Sequence, residues 1–329
     1  MTRSAGLDLQ AIQSGHVTMP QRTPTASSLA ELTDLYLLRC RVEGKSAQTI
    51  AAYCYTLGRF RRHLADQSAT VAASSITQEQ IYRYLGSFDH LSLDTRHRYF
   101  REVRCFFNWL VEAGHLEASP FLHVRNVRLP SKIVQPFAQD DLKQLLAACS
   151  DGPAGVRDRA IMVTLLDTGL RVSELAQLYL DDLNFELMRL RVLHAKGNKQ
   201  RVASFSDACK RDLVRYLGLR GDEPGPLFCA TDGHGRLRPN AYLHSNGIKQ
   251  MLRRVGRRTG LPKVHAHRFR HTFATWAIDQ GARELDVQLL LGHSSPDMVR
   301  RYTSSYNAEQ AARRHVEFSP AMMLDAGVA

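Results

Sequence analysis

Apolar residues recur at helical spacing over the first third of the chain, after a polar start. Residues 1–27 are rich in Ser, Thr, Gln and Pro without sustained periodicity, which predicts a flexible N-terminal arm. The spacing that follows predicts four helices, from Leu29 to near Gly44, after an N-cap at Ser46, over 78–85, and from Ser92 to Gly114. Residues 28–116 are therefore expected to form a small helical domain.

The pattern changes at residues 117–136, where prolines and basic residues replace the periodicity and predict an interdomain linker. A second helical domain is expected over 137–318, with a tail at 319–329. One β hairpin should interrupt it, because apolar and basic residues alternate over 188–192 and a returning strand fits 202–205 after a Gly197-Asn198 turn. The predicted fold class is mainly α with a small antiparallel β-sheet.

Composition narrows the partners of this chain. The 329 residues carry 44 Lys and Arg against 32 Asp and Glu, a net charge of +12, which favours a polyanionic partner. The six cysteines are scattered without a C-x-x-C pair, which predicts reduced thiols and neither a disulfide framework nor a zinc site. No apolar run approaches the ~20 residues of a membrane span, and no signal peptide is recognisable, so we expect a soluble cytoplasmic protein.

Basic side chains lie away from the apolar stripes of two predicted helices. Arg59 and Arg62 lie on the second helix, and Arg101 and Arg104 on the fourth. A solvated face is the alternative for either helix alone, but two such helices in one small unit favour a surface that faces DNA. The candidate DNA contacts are Arg59, Arg62, Arg101, Arg104, Lys199 and Arg253.

The second domain contains the residue types that transfer a phosphodiester to a hydroxyl without a metal. Such a reaction needs cations on the non-bridging oxygens, an activated nucleophile and an acid for the leaving oxygen. The candidates are Arg171, Lys196, His267, Arg270, His293 and Tyr302. On residue chemistry alone, Lys199 competes with Lys196 and Tyr306 with Tyr302.

Metal-dependent alternatives fit the sequence less well. The adjacent pairs 140–141 and 181–182 have no third carboxylate partner, which argues against a two-metal nuclease. His267 and His271 have the i, i+4 spacing of zinc ligands, but Arg270 lies between them without an accompanying glutamate. We therefore expect neither a metal nor another cofactor.

Local sequence patterns also predict where Arg171 and Arg270 lie in the helices. Gly169 should end a helix, Ser173 should cap the next one, and Arg171 would then be fixed at their junction. Arg270 shares a helical face with His267, although taken alone it would be interpreted as a surface arginine. Gly292 should end the apolar helix before His293.

These segments, in this order, resemble the tyrosine recombinase family (λ-integrase and Xer-like). The resemblance rests on Thr168-Gly-Leu-Arg-Val-Ser-Glu-Leu175, on His267-Arg-Phe-Arg-His271 and on Leu290-Leu-Gly-His293. It identifies Lys196, the first lysine of the Lys-Gly-x-Lys turn, and Tyr302, nine residues after His293, as the family's lysine and tyrosine. Phe269 and His265-Ala266 depart from the usual residues, so the geometry before His267 is open.

The resemblance implies a helical core-binding (SAM-like) domain and a catalytic domain that close on DNA as a C-shaped clamp. It implies a site-specific recombinase or integrase acting through a 3′-phosphotyrosyl intermediate and a Holliday junction. Its partners would be a double-stranded recombination site, a homo-tetramer with one dimer per site, and accessory DNA-bending proteins, in the nucleoid and without a membrane. The alternatives are a non-catalytic DNA-binding regulator and a type IB topoisomerase-like enzyme.

Overall fold

The computed structural model describes residues 28–65, 71–130, 134–193, 200–292 and 315, and the chain divides into two compact units, Met1–Ser131 and Lys132–Ala329. The described part of the first unit contains α1 (Leu29–Val42), α2 (Ala47–Ala65), α3 (Gln78–Gly86) and α4 (Leu93–Glu112), with a 3-10 turn at Ala73–Ser75. The four predicted helices are confirmed, and so are the caps at Ser46 and Ser92, whose hydroxyls accept the main-chain N–H three residues later.

Aromatic rings form much of the core of the first unit. The rings of Phe60 and Tyr84 meet edge to face at 4.8 Å, and those of Tyr84 and Phe88 at 4.7 Å. Such contacts stabilise the core beyond the burial of apolar area. Phe121 and Val124, from the segment predicted as a linker, are also buried in this core, because their apolar side chains pack against α4 neighbours.

The second unit is built around α6. Its described elements are α5 (Gln139–Ala147), α6 (Pro153–Thr168), α7 (Val172–Leu175), β1 (Leu183–Asn184), β2 (Arg189–Val192), β3 (Arg201–Ser204), α8 (Asp207–Arg220), β4 (Cys229–Thr231), β5 (Leu237–Tyr242), α9 (Ser245–Thr259), α10 (Ala266–Asp279) and α11 (Glu284–Leu291). Helix α6 packs against both α8 and α10 and is buried along most of its length. The ends of α6 and α10 therefore hold fixed positions in the unit.

The predicted hairpin is confirmed as the antiparallel pair β2–β3, with Leu190 opposite Ala203 and both side chains in the core. Its Gly197-Asn198 turn lies outside the described residues. The expectation of one β interruption is wrong, because β4 and β5 form a second antiparallel sheet. Strand β5 contains Pro239 and no β-branched residue, and its pairing with β4 is irregular next to Cys229, so its sequence lacks the residue types that mark a regular strand.

The chain that enters the second unit is fastened to α10. The Phe137 N–H donates to Thr272 Oγ1 at 2.9 Å, and Arg268 Nε donates to the Gln135 carbonyl at 3.0 Å. The Arg268 guanidinium also lies 4.0 Å from the centre of the Phe137 ring. These contacts fix one side of the helix that carries His267 and Arg270.

Candidate active site

Arg171 lies at the junction of α6 and α7. Gly169 ends α6 in the left-handed region at φ +60°, as predicted, and Arg171 is the residue that precedes α7. The prediction that Ser173 caps α7 is wrong, since Ser173 lies inside that helix. Glu174 supplies the capping acceptor instead: its Oε2 accepts the Arg171 main-chain N–H at 2.9 Å, as a carboxylate at this helix position can.

Glu174 also fixes the side chain of Arg171. Its Oε1 accepts from Arg171 Nη1 at 2.7 Å, and its Oε2 accepts from Arg201 Nη2 at 2.8 Å. The Glu174 side chain is only 1% exposed, and Arg171 is 26% exposed. Burial opposes ionisation, but the charge of Arg201 and the bonds from Arg171 hold the pKa of Glu174 below its ordinary value. Glu174 is thus an ionised, buried anchor for an arginine that still reaches solvent.

Arg270 is buried, at 1% exposure, and the interpretation as a surface arginine is wrong. Its Nη1 donates to the Gly169 carbonyl at 2.6 Å and its Nη2 to the Leu291 carbonyl at 2.7 Å. Both carbonyls belong to the ends of helices, where main-chain acceptors lack partners within the helix. Arg270 therefore joins the C-termini of α6 and α11 and is held at a fixed point.

His267 lies one turn before Arg270 on α10 and is exposed. Partial burial of the ring, together with the charges of Arg270, His265 and Arg171, lowers the pKa of His267 below its ordinary value. The lowered pKa favours the neutral imidazole, which can accept a proton. His265 precedes α10 as its N-cap, and its Nδ1 accepts from the Arg268 N–H at 3.2 Å, which defines the geometry before His267.

The structure thus brings together three of the six predicted catalytic residues, Arg171, His267 and Arg270. Lys196, His293 and Tyr302, with the competitors Lys199 and Tyr306, lie outside the described residues. The predicted helix end at Gly292 is confirmed, with φ +63°.

Two residues of the site were missed from sequence. Glu174 and Arg201 were not among the residues predicted for the site. The spacing Arg171-x-x-Glu174 was the available signal, because an i, i+3 pair can meet on one side of a helical turn. No comparable signal exists for Arg201, whose partners are 27 and 89 residues away along the chain.

A basic cleft adjoins His267. Its volume is about 920 Å³, and its walls include Lys249, Arg253 and Arg257 from one face of α9, with Lys263 beyond. The lining residues include no Asp or Glu. This charge suits a polyanion, and Arg253, a candidate DNA contact, lies exposed in the wall.

The other candidate DNA contacts lie in the first unit, apart from Lys199, which is outside the described residues. Arg62, Arg101 and Arg104 are exposed. Arg59 is half-buried, with its guanidinium 4.9 Å from the Phe88 ring centre and 5.6 Å from that of Tyr99. The ring contacts hold the Arg59 guanidinium in position, and the uncharged rings do not cancel its positive charge.

The described ranges contain no group of three His, Cys, Asp or Glu side chains placed to bind a metal ion. No described helix is long and apolar enough to span a bilayer. The six cysteines are free thiols.

Known proteins resemble both units. The phage integrase family model matches residues 135–309, and the model of its N-terminal SAM-like domain matches residues 34–114. The tyrosine recombinase XerC of Staphylococcus haemolyticus is 30% identical over 85% of this chain and 94% of its own length. A lambda integrase dimer bound to a COC′ core site has a TM-score of 0.68 at 20% identity, covering 89% of this chain and 85% of that one. A lambda integrase tetramer bound to a Holliday junction also gives 0.68 at 20% identity, covering 87% and 84%.

Proposed function

Because this chain belongs to the phage integrase family, it is a site-specific DNA recombinase of the tyrosine class, and we propose that Tyr302 is its nucleophile. The observation that carries the proposal is the convergence of Arg171, His267 and Arg270, with both arginines anchored by neighbouring oxygens. Cations fixed before the reaction begins need no reorganisation as charge develops on a phosphate.

In the proposed reaction, the Tyr302 phenolate oxygen attacks the scissile phosphorus, and the bond to the 5′ oxygen breaks. The products are a 3′-phosphotyrosyl link and a 5′ hydroxyl, whose proton comes from Lys196. Arg171 and Arg270 bind the non-bridging oxygens. A guanidinium has five N–H donors, and the two carbonyl bonds of Arg270 use two of them. Neutral His267 accepts the phenol proton, and His293 donates a hydrogen bond to the phosphate.

Rejoining follows the same path in reverse. A 5′ hydroxyl from a partner duplex attacks the phosphotyrosyl phosphorus and releases Tyr302, so the covalent link conserves the bond energy. We propose exchange through a Holliday junction in a homo-tetramer with one dimer per recombination site, with accessory DNA-bending proteins as further partners. The lambda integrase dimer and tetramer structures support these assemblies by likeness of fold alone.

Several expectations from sequence remain proposals. They are the arm at 1–27, the core-binding domain at 28–116, the linker at 117–136, the catalytic domain at 137–318 and the tail at 319–329. The C-shaped clamp, a role in a mobile element and a cytoplasmic, nucleoid-bound location stay predictions as well. The exposed cations of α2 and α4, with Arg253 in the basic cleft, would contact the DNA backbone.

Nicked suicide DNA tests the nucleophile, because the cleaved strand diffuses away and the covalent adduct accumulates. The wild-type protein should form an adduct in the presence of EDTA, and Tyr302→Phe should form none. Tyr306→Phe is the matched control and should form the adduct. Loss of the adduct in Tyr306→Phe but not in Tyr302→Phe would reassign the nucleophile. A protein that binds the site but never forms an adduct would be the regulator that was considered as an alternative.

A further inference from the structure

Arg201 begins β3 and reaches two other segments of the second unit. Its Nη2 donates to Glu174 Oε2 at 2.8 Å, and its Nη1 donates to the Leu290 carbonyl at 2.5 Å. The side chain is 10% exposed, and its Nε is buried without a hydrogen-bond partner in the described part of the chain. The two Nη atoms therefore determine where this guanidinium lies.

The turn after α11 is packed directly against Arg201. A Cβ atom added at Gly292 would lie 2.8 Å from Arg201 Cδ and 3.0 Å from its Nε, so a side chain at this position would require Arg201 to shift. Gly292 also has φ +63°, a backbone conformation that side chains disfavour. Arg201 and the end of α11 are therefore in direct contact.

Arg201 and Arg270 bind consecutive carbonyls of the same helix end. Arg201 takes Leu290 and Arg270 takes Leu291. Glu174, the second partner of Arg201, is also the anchor of Arg171. One side chain thus contacts the anchor of one proposed catalytic arginine and the helix end that holds the other, and α11 leads in sequence to His293.

We propose that Arg201 is a positioning residue for strand cleavage. It holds Arg171 in place through Glu174, and it fixes the end of α11 through the Leu290 carbonyl. This role rests on the proposed function, in which Arg171 binds the scissile phosphate. Without Arg201, the buried Glu174 carboxylate would have Arg171 as its remaining arginine partner. The charge would then draw the Arg171 guanidinium further onto Glu174 and away from the phosphate.

Arg201→Lys tests the role, because lysine keeps the charge but cannot reproduce a two-point fork. We expect the single-turnover cleavage rate at saturating DNA to fall on the order of 10²-fold, since a small misplacement of a catalytic group has effects of this size. DNA affinity should change by no more than about twofold, the scatter expected for an uncoupled site.

Arg159→Lys is the matched control. Arg159 also binds one carboxylate and one carbonyl, with Nε donating to Asp212 at 2.7 Å and Nη1 to Leu146 at 3.5 Å, but its partners lie on α8 and α5. This variant should lose thermal stability comparably and cleave at the wild-type rate. If Arg201→Lys cleaves as fast as Arg159→Lys at equal stability, the positioning role is overturned.

A double variant shows whether Arg201 acts through Arg171. Arg171→Lys with Arg201→Lys should lose clearly less activity than the product of the two separate losses, because the part of the Arg201 effect that runs through Arg171 is lost only once. Multiplication of the two separate losses would overturn the proposal. If Arg171→Lys alone cleaves at the wild-type rate, the proposed function of Arg171 fails instead, so the two failures are distinguishable.

Discussion

Two arginines of the first unit, Arg59 and Arg98, lie over aromatic rings, whereas Arg171 and Arg270 of the candidate active site donate to carboxylate and carbonyl oxygens. Arg59 lies over Phe88, and Arg98 lies 5.0 Å from the centre of the Tyr99 ring. Arg270 instead binds two helix-end carbonyls. A ring face attracts a cation by about 0.5–1 kcal/mol at exposed sites and uses none of its N–H donors. Each carbonyl oxygen uses one N–H donor of the guanidinium but fixes the direction in which the guanidinium points.

The difference teaches what each kind of arginine is suited to do. Arg59 keeps its charge over the rings and uses one of its N–H donors on the Tyr55 hydroxyl, so it can still follow a phosphate backbone that shifts along the surface. A guanidinium fixed by directional bonds cannot follow its ligand, so it favours one geometry, as transition-state binding requires. We therefore expect substitution of Arg59 in the first unit to alter DNA affinity, and substitution of the arginines in the candidate active site to alter the cleavage rate.

Among the arginine substitutions, the largest expected effect is that of Arg270→Lys. Lysine cannot bind the Gly169 and Leu291 carbonyls with a planar fork, so the cleavage rate should fall by on the order of 10²–10³-fold. Adduct formation on suicide DNA at saturating protein measures the rate. Arg215→Lys, in an exposed pair with Asp151, is the control and should cleave normally. A wild-type rate in Arg270→Lys would show that directional anchoring is unnecessary.

Gly169 and Gly114 both have a left-handed backbone conformation, but they differ in how closely other atoms pack around them. A Cβ at Gly169 would lie 2.4 Å from Leu291 Cδ2 and 2.8 Å from Phe273 Cδ1, whereas Gly114, after α4, has open space within 4 Å. Gly114→Ala should cost about 1 kcal/mol of backbone strain. Gly169→Ala should cost about 3 kcal/mol, because overpacking at the helix junction adds to that strain.

Urea unfolding measures both glycine variants. The chain contains two tryptophans, and Trp109 in α4 and Trp276 in α10 report on different units. The Trp276 transition should move in Gly169→Ala and the Trp109 transition in Gly114→Ala. Equal losses in the two variants would contradict the close packing of the α6–α11 junction.

Most helices could be predicted from sequence because their signals are local. Ser92 and Gly114 mark the ends of α4, and its apolar spacing marks the buried face. The family motif also located Arg171, His267 and Arg270 before their contacts were known. Strand β5 could not be predicted in this way, since Leu237-Arg-Pro-Asn-Ala-Tyr242 has neither β-branched residues nor a buried face.

The burial of Arg270 escaped prediction for a different reason. Helical spacing shows which residues share a face, but the acceptors of Arg270 are main-chain carbonyls at the ends of two other helices. Every residue has a main-chain carbonyl, so the residue types in the sequence do not show which carbonyl accepts a hydrogen bond from Arg270. For the same reason the sequence contained Arg201 without indicating Leu290 as its partner.

Acid should destabilise the second unit through His271. Burial lowers the pKa of His271 to about 4, with His267 and Arg268 contributing, despite a hydrogen bond with the Val134 main chain that opposes the shift. The unfolded state has an ordinary pKa near 6.5, so between these values it binds a proton that the folded state does not. Stability therefore falls as the pH drops from about 6.5 to about 4, by up to about 3 kcal/mol.

His271→Gln isolates this contribution, because glutamine does not titrate. Urea unfolding followed at Trp276, on the same helix, should lose less stability between pH 6.5 and 4.5 in the variant than in the wild type. The Trp109 transition of the helical unit should respond equally in the two proteins. Identical acid sensitivity at Trp276 would exclude His271 as the titrating group.

The smallest expected effect belongs to Arg59→Met, which removes the cation above Phe88 and Tyr99. The slope of log affinity against log salt should fall by about 1, as for one lost phosphate contact, and stability by about 0.5–1 kcal/mol. Arg39→Met is the control: Arg39 lies over Trp109 but is paired with Glu43, so only stability should change. Cleavage at saturating DNA should match the wild type in both, because a ring-held arginine contributes to binding. A slower cleavage rate in Arg59→Met would remove the distinction between the two kinds of arginine.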